Sequence, residues 1–238
     1  MNGIRRNVKL LKYITTIFSD LIKFFVIYFP GPTGRMIRYL YWKRKFKKCG
    51  KNVIIDEGVI IQNPNWISIG DNVWIDKYCV LIAGRPDESS SSRVFTIKSN
   101  SDYLYERGEL VIGNNVHIAP FCTLQCHGGV YIGNNVGIAS GSRVYSLSHH
   151  YRNPNNKHDM FEYKFTPMAN KSEQSLISAP VVISDDCAIG LNCVLLPGTT
   201  IRRGTWIGVS SFIYGVTESG AVYSSEQARF IKYKFEKK

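Results

Sequence analysis

Three of the five histidines, His149, His150 and His158, fall in one polar stretch, SHHYRNPNNKHDMFEYKFTPMANKSEQSLISAP (148–180). They are interleaved with Tyr151, Phe161, Tyr163 and Phe165. Imidazole, with an ordinary pKa of about 6.5, is the side chain best matched to proton transfer near neutral pH. A loop that mixes such groups with aromatic rings suits a substrate grip better than a flexible spacer. A metal centre is not expected. His149 and His150 are adjacent and no H-x4-H pair exists, so the ligand spacing of a three-histidine zinc site is missing. The six cysteines, Cys49, Cys79, Cys122, Cys126, Cys187 and Cys193, form no CxxC pair. They are expected to be reduced, small apolar side chains.

The elements that position these residues are set by a period of six. Aliphatic residues fall at Ile69, Ile75 and Leu81, at Ile112, Ile118 and Leu124, and at Ile132, Ile138 and Val144. An unbroken series follows at Ile183, Ile189, Leu195, Ile201, Ile207 and Ile213. Neither a helical nor a simple strand period gives this register, whereas a hexapeptide repeat is the mark of a parallel β-helix. Each repeat supplies one short strand and one turn, and three repeats close a triangular coil. Between them stand Asp71-Asn72, Asn114-Asn115, Asn134-Asn135 and Asp185-Asp186, residue types that tolerate left-handed backbone. The period breaks twice, over 84–110 and over 148–180, and solenoids usually carry such insertions on the binding face.

The charge has its own address. Lys and Arg total 30 against 18 Asp and Glu, a net charge of +12, and the excess is concentrated in residues 1–51, where Asp20 is the sole acid. In the same segment Val8, Leu11, Ile14, Phe18, Leu21, Ile22 and Phe25 recur at three and four, predicting an amphipathic helix that Pro30-Gly31-Pro32 ends. Interrupting lysines leave it short of the roughly 20 apolar residues that span a bilayer, and no signal-peptide cleavage site follows. A helix lying on an anionic membrane surface and a helix packed on the main domain or another subunit both fit. Nucleic-acid binding is not expected, because the basic residues sit beside an apolar stripe without a reading motif. The resulting organisation is a basic helical segment over 1–50, a β-helix over 51–215 with insertions at 84–110 and 148–180, and a helical tail over 216–238.

Over most of residues 50–232 the chain resembles the hexapeptide-repeat acyltransferases, above all the sugar and polysaccharide O-acetyltransferases. The resemblance rests on VVISDDCAIGLNCVLLPGTTI (181–201), VYSLSHH (144–150) and the lead-in PGPTGRMIRYLYWKRKFKKCG (30–50). It implies an all-β solenoid, a left-handed parallel β-helix, acting as a homotrimer with acetyl-CoA as donor and no metal. It makes His149 the general base, with His150 as runner-up. The donor would lie in a groove between adjacent subunits beside Ala188, Gly190, Gly208, Ser210 and Ser211. Arg229 and Lys232 would meet its phosphates, with Arg202 and Arg203 as lesser candidates. The acceptor implied is a sugar hydroxyl of a surface polysaccharide or its precursor, handled in the cytoplasm at the inner face of the cell membrane. N-transfer to an amino sugar or a xenobiotic, and a non-catalytic β-helix scaffold, are the alternatives.

Overall fold

A computed structural model describes residues 2–86 and 93–225, with the side chains of 2–12 and 14 left aside. The hexads fold as expected, into a left-handed parallel β-helix whose three faces are parallel sheets of six, seven and six short strands. The first face runs from Lys48–Cys49 to Thr200–Ile201, the second from Val53–Ile55 to Val222–Tyr223, and the third from Ile60–Gln62 to Phe212–Ile213.

The aliphatic hexad residues are the inward positions, and they stack in register. On the first face Ile69 pairs with Ile112, Ile112 with Ile132, Ile132 with Ile183 and Ile183 with Ile201. All five are at most 2% exposed, so a single buried column runs down the face. The insertions leave this register intact, because each coil needs only its neighbours to bury its apolar face. All six cysteines are free and five are buried, as small apolar side chains at the coil corners.

The polar turn residues stack as well. Asn72, Asn115, Asn135 and Asp186 adopt φ of 57, 56, 57 and 60°, the left-handed region that Asn and Asp tolerate. Each Nδ2 donates to the next carboxamide or carboxylate at 3.1, 2.9 and 2.9 Å, a ladder along one corner. Neighbouring coils pass so closely there that a Cβ on Gly113 would lie 2.7 Å from the carbonyl oxygen of Gly133.

Two helices, α1 (Asn2–Tyr28) and α2 (Gly31–Lys43), precede the solenoid and break at Pro30. Trp42 on α2, with Phe46, enters the end of the hydrophobic core. Arg38 is fully buried. Its Nε donates to the Ile55 carbonyl at 2.7 Å, and its Nη1 donates to the Phe29 carbonyl at 2.7 Å. It thus ties the end of α1, whose last carbonyls have no helical partner, to the first coil. Arg35 forks onto Asp56 at 2.6 and 3.1 Å, and Trp74 Nε1 donates to the same carboxylate at 2.8 Å.

Both ends of the solenoid extend past the bounds read from the hexads. Lys48–Cys49 already pairs with Ser68 and Ile69, and Val222–Tyr223 pairs with Trp206–Ile207. These terminal strands carry Cys49 and Tyr223 in register with Ile69 and Ile207, where aliphatic hexad residues stand elsewhere, so the pattern does not mark them. The helical tail expected over 216–238 is not helical as far as residue 225, where turns and the strand Val222–Tyr223 stand instead, and positions 226–238 lie outside the described residues.

Candidate active site at a corner of the solenoid

The two insertions meet. Residues Val94–Ile97 from the first and Ser175–Ser178 from the second pair in parallel, and Leu147–His149 joins antiparallel to make a separate three-stranded sheet. Its central strand is Ser175–Ser178, with His149 opposite Leu176 and Leu176 opposite Phe95. Entry into the insertion is pinned to the coil below. Buried Ser146 donates to the Gln125 carbonyl at 2.8 Å and accepts from Gly128 N at 2.8 Å, and Gln125 Oε1 accepts from Leu147 N at 3.0 Å. A strand anchored on both sides holds a side chain in place better than a free loop does.

His149 therefore sits on a strand at the corner where the third face passes to the first. It lines a cleft of about 270 Å³ with His150, Lys98, Ile177, Leu196, Pro197 and Tyr214. Burial, with the nearby positive charge of Arg93 as a second cause, holds its pKa below the ordinary histidine value. The imidazole is therefore neutral at neutral pH, the form a proton acceptor needs. Its Nδ1 is buried and makes no hydrogen bond among the described residues.

His150 lines the same cleft but is tied down. Its Nδ1 lies 2.8 Å from the Arg152 carbonyl oxygen, its N donates to the Ser175 carbonyl at 2.8 Å, and its ring stacks on Tyr151 at 4.7 Å. The rest of the insertion is organised around Asp159, which accepts from Phe161 N, Tyr163 Oη and Asn153 Nδ2 at 2.9, 2.8 and 3.2 Å. Those three bonds hold the Asp159 carboxyl below its usual range. His158 is exposed in this segment, while His127 Nδ1 lies 2.7 Å from the Gly84 carbonyl oxygen.

The expected donor residues lie elsewhere. Ala188 and Gly190 line a shallow groove of about 380 Å³ on the second face. Outward positions of successive strands run Trp74, His117, Gly137, Ala188 and Trp206 in register. Two small residues thus leave a notch between an imidazole and an indole. A Cβ on Gly137 would meet nothing within 4 Å, so the notch is open space. The His117 ring packs at a tilt on Trp74, centroids 4.8 Å apart, with Nε2 3.5 Å from Asp76 Oδ2. Gly208 and Ser210 sit at the next corner along, Ser210 at φ 55°. Ser211 is buried, and its hydroxyl donates to the Gly208 carbonyl at 2.7 Å and accepts from Ser225 N at 3.2 Å. Arg203 is paired with Asp186 at 2.9 Å, and Arg202 faces a different cavity on the first face. Arg229 and Lys232 lie outside the described residues.

No residue lines both the His149 cleft and the second-face groove. The lining of the cleft by Lys98, Leu196 and Tyr214 was not legible in the sequence, since the three are remote along the chain. The groove residues did carry a signal. His117, Gly137, Ala188 and Trp206 each immediately precede an inward isoleucine of the second face, the outward position of that strand.

Fold and repeat together define a left-handed β-helix of the hexapeptide-repeat class. Its curated relatives are sugar acyltransferases, although no family model matches the chain. It is 26% identical over 168 residues to a dTDP-4-amino-4,6-dideoxy-D-glucose acyltransferase of Escherichia coli, covering 71% of this chain and 72% of that one. It is 27% identical to the putative lipopolysaccharide biosynthesis O-acetyl transferase WbbJ of Escherichia coli K12, over 54% of this chain and 62% of that one. Among solved structures it resembles a mutant of AntD, an N-acyltransferase from Bacillus cereus, in complex with dTDP and coenzyme A. That match has a TM-score of 0.60 at 23% identity, covering 82% of this chain and 88% of that one.

Proposed function

We propose that this chain moves an acetyl group from acetyl-CoA to a sugar hydroxyl of a surface polysaccharide or its precursor, with His149 as general base. The observation that carries this reading is a histidine kept neutral in a cleft at the outside corner of a hexapeptide coil. Imidazole takes the proton from the acceptor hydroxyl as that oxygen attacks the thioester carbonyl. A backbone N–H stabilises the oxyanion, and the imidazolium returns its proton to the leaving thiolate. No acyl-enzyme is needed. The open notch at Gly137, Ala188 and Gly190 fits the slender arm of the donor, because small side chains let a ligand lie against backbone.

Cleft and groove share no lining residue in one chain, and in this reading a second copy, as in a homotrimer, brings the groove of one chain to the cleft of the next. Mixed oligomers of His149→Ala and Gly190→Trp chains are then expected to recover activity that each variant lacks alone.

Thiol release from acetyl-CoA across a panel of sugars and nucleotide sugars tests the reading. Acceptor-dependent release that disappears in His149→Ala supports it, and release that survives there but disappears in His150→Ala moves the base by one residue. N-transfer is a second reading, favoured by the longer of the two curated matches, an enzyme named for an amino-sugar acceptor. Matched acceptors bearing a hydroxyl or an amine at one carbon separate the two. No release with any acceptor, and no donor binding, would leave a scaffold.

A further inference from the structure

A third cavity, of about 480 Å³, lies outside the first face and belongs neither to the His149 cleft nor to the second-face groove. Its floor is Tyr131, Val182 and Thr200, the outward residues of three successive strands in register. Over it runs a strap from the first insertion that contributes Ser101 and Asp102. The strap is fastened to the floor, for Asn100 Nδ2 donates to Thr200 Oγ1 at 2.7 Å and Asn100 Oδ1 accepts from Asp102 N at 3.0 Å.

Two arginines reach this cavity, and they differ. Arg203 is neutralised by Asp186, with Nε and Nη2 at 3.0 and 2.9 Å from Oδ2. Arg202 is fixed only through its backbone, whose N donates to the Thr217 hydroxyl oxygen at 2.9 Å and whose carbonyl accepts from Thr205 Oγ1 at 2.6 Å. Its guanidinium has no hydrogen bond or ion pair among the described residues. Beside it stand the hydroxyls of Ser184 and Ser219, donors suited to phosphate oxygens. Asp102 on the strap also lines the cavity, and Tyr131, stacked on Tyr105 at 5.5 Å, forms an aromatic wall.

The cavity adjoins the reacting corner along two segments of chain. Lys98 lines the His149 cleft and Ser101 lines this cavity, while Leu196 and Pro197 line the former and Thr200 the latter. Three residues of chain span at most about 10 Å. From this juxtaposition we infer that the first-face cavity holds the diphosphate of an acceptor whose sugar occupies the His149 cleft, with Arg202 as its cation. The inference rests on the acyl-transfer reading for the identity of the sugar's reaction, but the diphosphate site stands on its own residues. A nucleoside diphosphate and an isoprenyl diphosphate share this chemistry.

Calorimetric titration of the full-length protein with thymidine 5′-diphosphate, and separately with a short water-soluble isoprenyl diphosphate, reads the site without turnover. Wild type is expected to bind at least one, and Arg202→Gln to bind it about tenfold or more weakly, with Arg202→Lys between, as loss of a charge-assisted contact predicts. Binding of the nucleotide alone identifies a nucleotide sugar, binding of the isoprenyl compound alone a lipid-linked one, and binding of both a site for diphosphate itself. His149→Ala is expected to bind as wild type does while losing thiol release, so failure of the acyl-transfer reading leaves this result readable. Titrations that are blank with both compounds, or unchanged in Arg202→Gln at unaltered melting temperature, overturn the inference.

Discussion

His149 sits where two opposing demands meet. A general base must be neutral, and one that faces a substrate cannot be wholly dry. Partial burial and the charge of Arg93 both disfavour the imidazolium, so the pKa lies below the ordinary value of about 6.5. Protonation abolishes the base, so kcat/KM is expected to stay flat through neutrality and fall only as pH drops below that value. Arg93→Gln removes one of the two causes, and the acid limb of its profile is expected to move upward. His149→Ala is expected to lower kcat by about 10²- to 10⁴-fold, the usual worth of a positioned proton acceptor. Its melting temperature should match wild type, because the Nδ1 of His149 makes no hydrogen bond that folding would lose. An unchanged kcat would move the chemistry elsewhere.

At the scale of elements, the helical lead-in closes the open end of the solenoid. Arg38 is the joint. It donates to the buried carbonyl of Ile55 and to the part-buried carbonyl of Phe29. Arg38→Met keeps the bulk but removes the donors. It is expected to cost about 2–5 kcal/mol, the penalty for two orphaned acceptors, readable as a lower urea midpoint. Within the coils, Ile138 is 1% exposed between Ile118 and Ile189, and Ile138→Ala is expected to cost about 2–5 kcal/mol by leaving a cavity. Substitution of an exposed neighbour such as Arg143 should change the midpoint little. The three-stranded sheet has a different dependence. It joins two insertions remote in sequence, so weakening Ser175–Ser178 is expected to disturb His149 while sparing the coils.

At the scale of the molecule, two surfaces bear on assembly and localisation. Light scattering is expected to return a trimer, the arrangement that would bring one copy's His149 cleft to another's second-face groove. A monomer that retains full activity would refute that arrangement. The other surface is α1. Phe18, Leu21, Phe24 and Phe25 are exposed along it, in the segment that carries the basic excess, and no described helix is long and apolar enough to cross a membrane. We propose that α1 lies on an anionic membrane face. Co-flotation with anionic but not neutral vesicles, lost in Phe18→Ser/Phe25→Ser, is the expected result. A chain that floats with neither would assign these residues to subunit contacts instead.

Much of this protein was legible as a string of residues, because its fold is built from local rules. Ile69, Ile75 and Leu81 are inward for the same reason as Ile183, Ile189 and Leu195, since each coil repeats the environment of the last. The left-handed Asn115 and Asn135 follow from residue type, and the break at Pro30 from the missing donor and fixed φ of proline. His149 was singled out by the resemblance to the hexapeptide-repeat acyltransferases rather than by the period itself. What tertiary structure decided is everything that depends on remote segments meeting. Nothing in the sequence pairs Val94–Ile97 with Ser175–Ser178, yet that pairing brings Lys98 beside His149 and carries the strap to Arg202. The notch at Gly137 and Ala188 also exists only once a 51-residue step in sequence becomes adjacency on one face. Period-six patterning specifies what each coil buries, whereas the insertions follow no period, so their partners are chosen by contact.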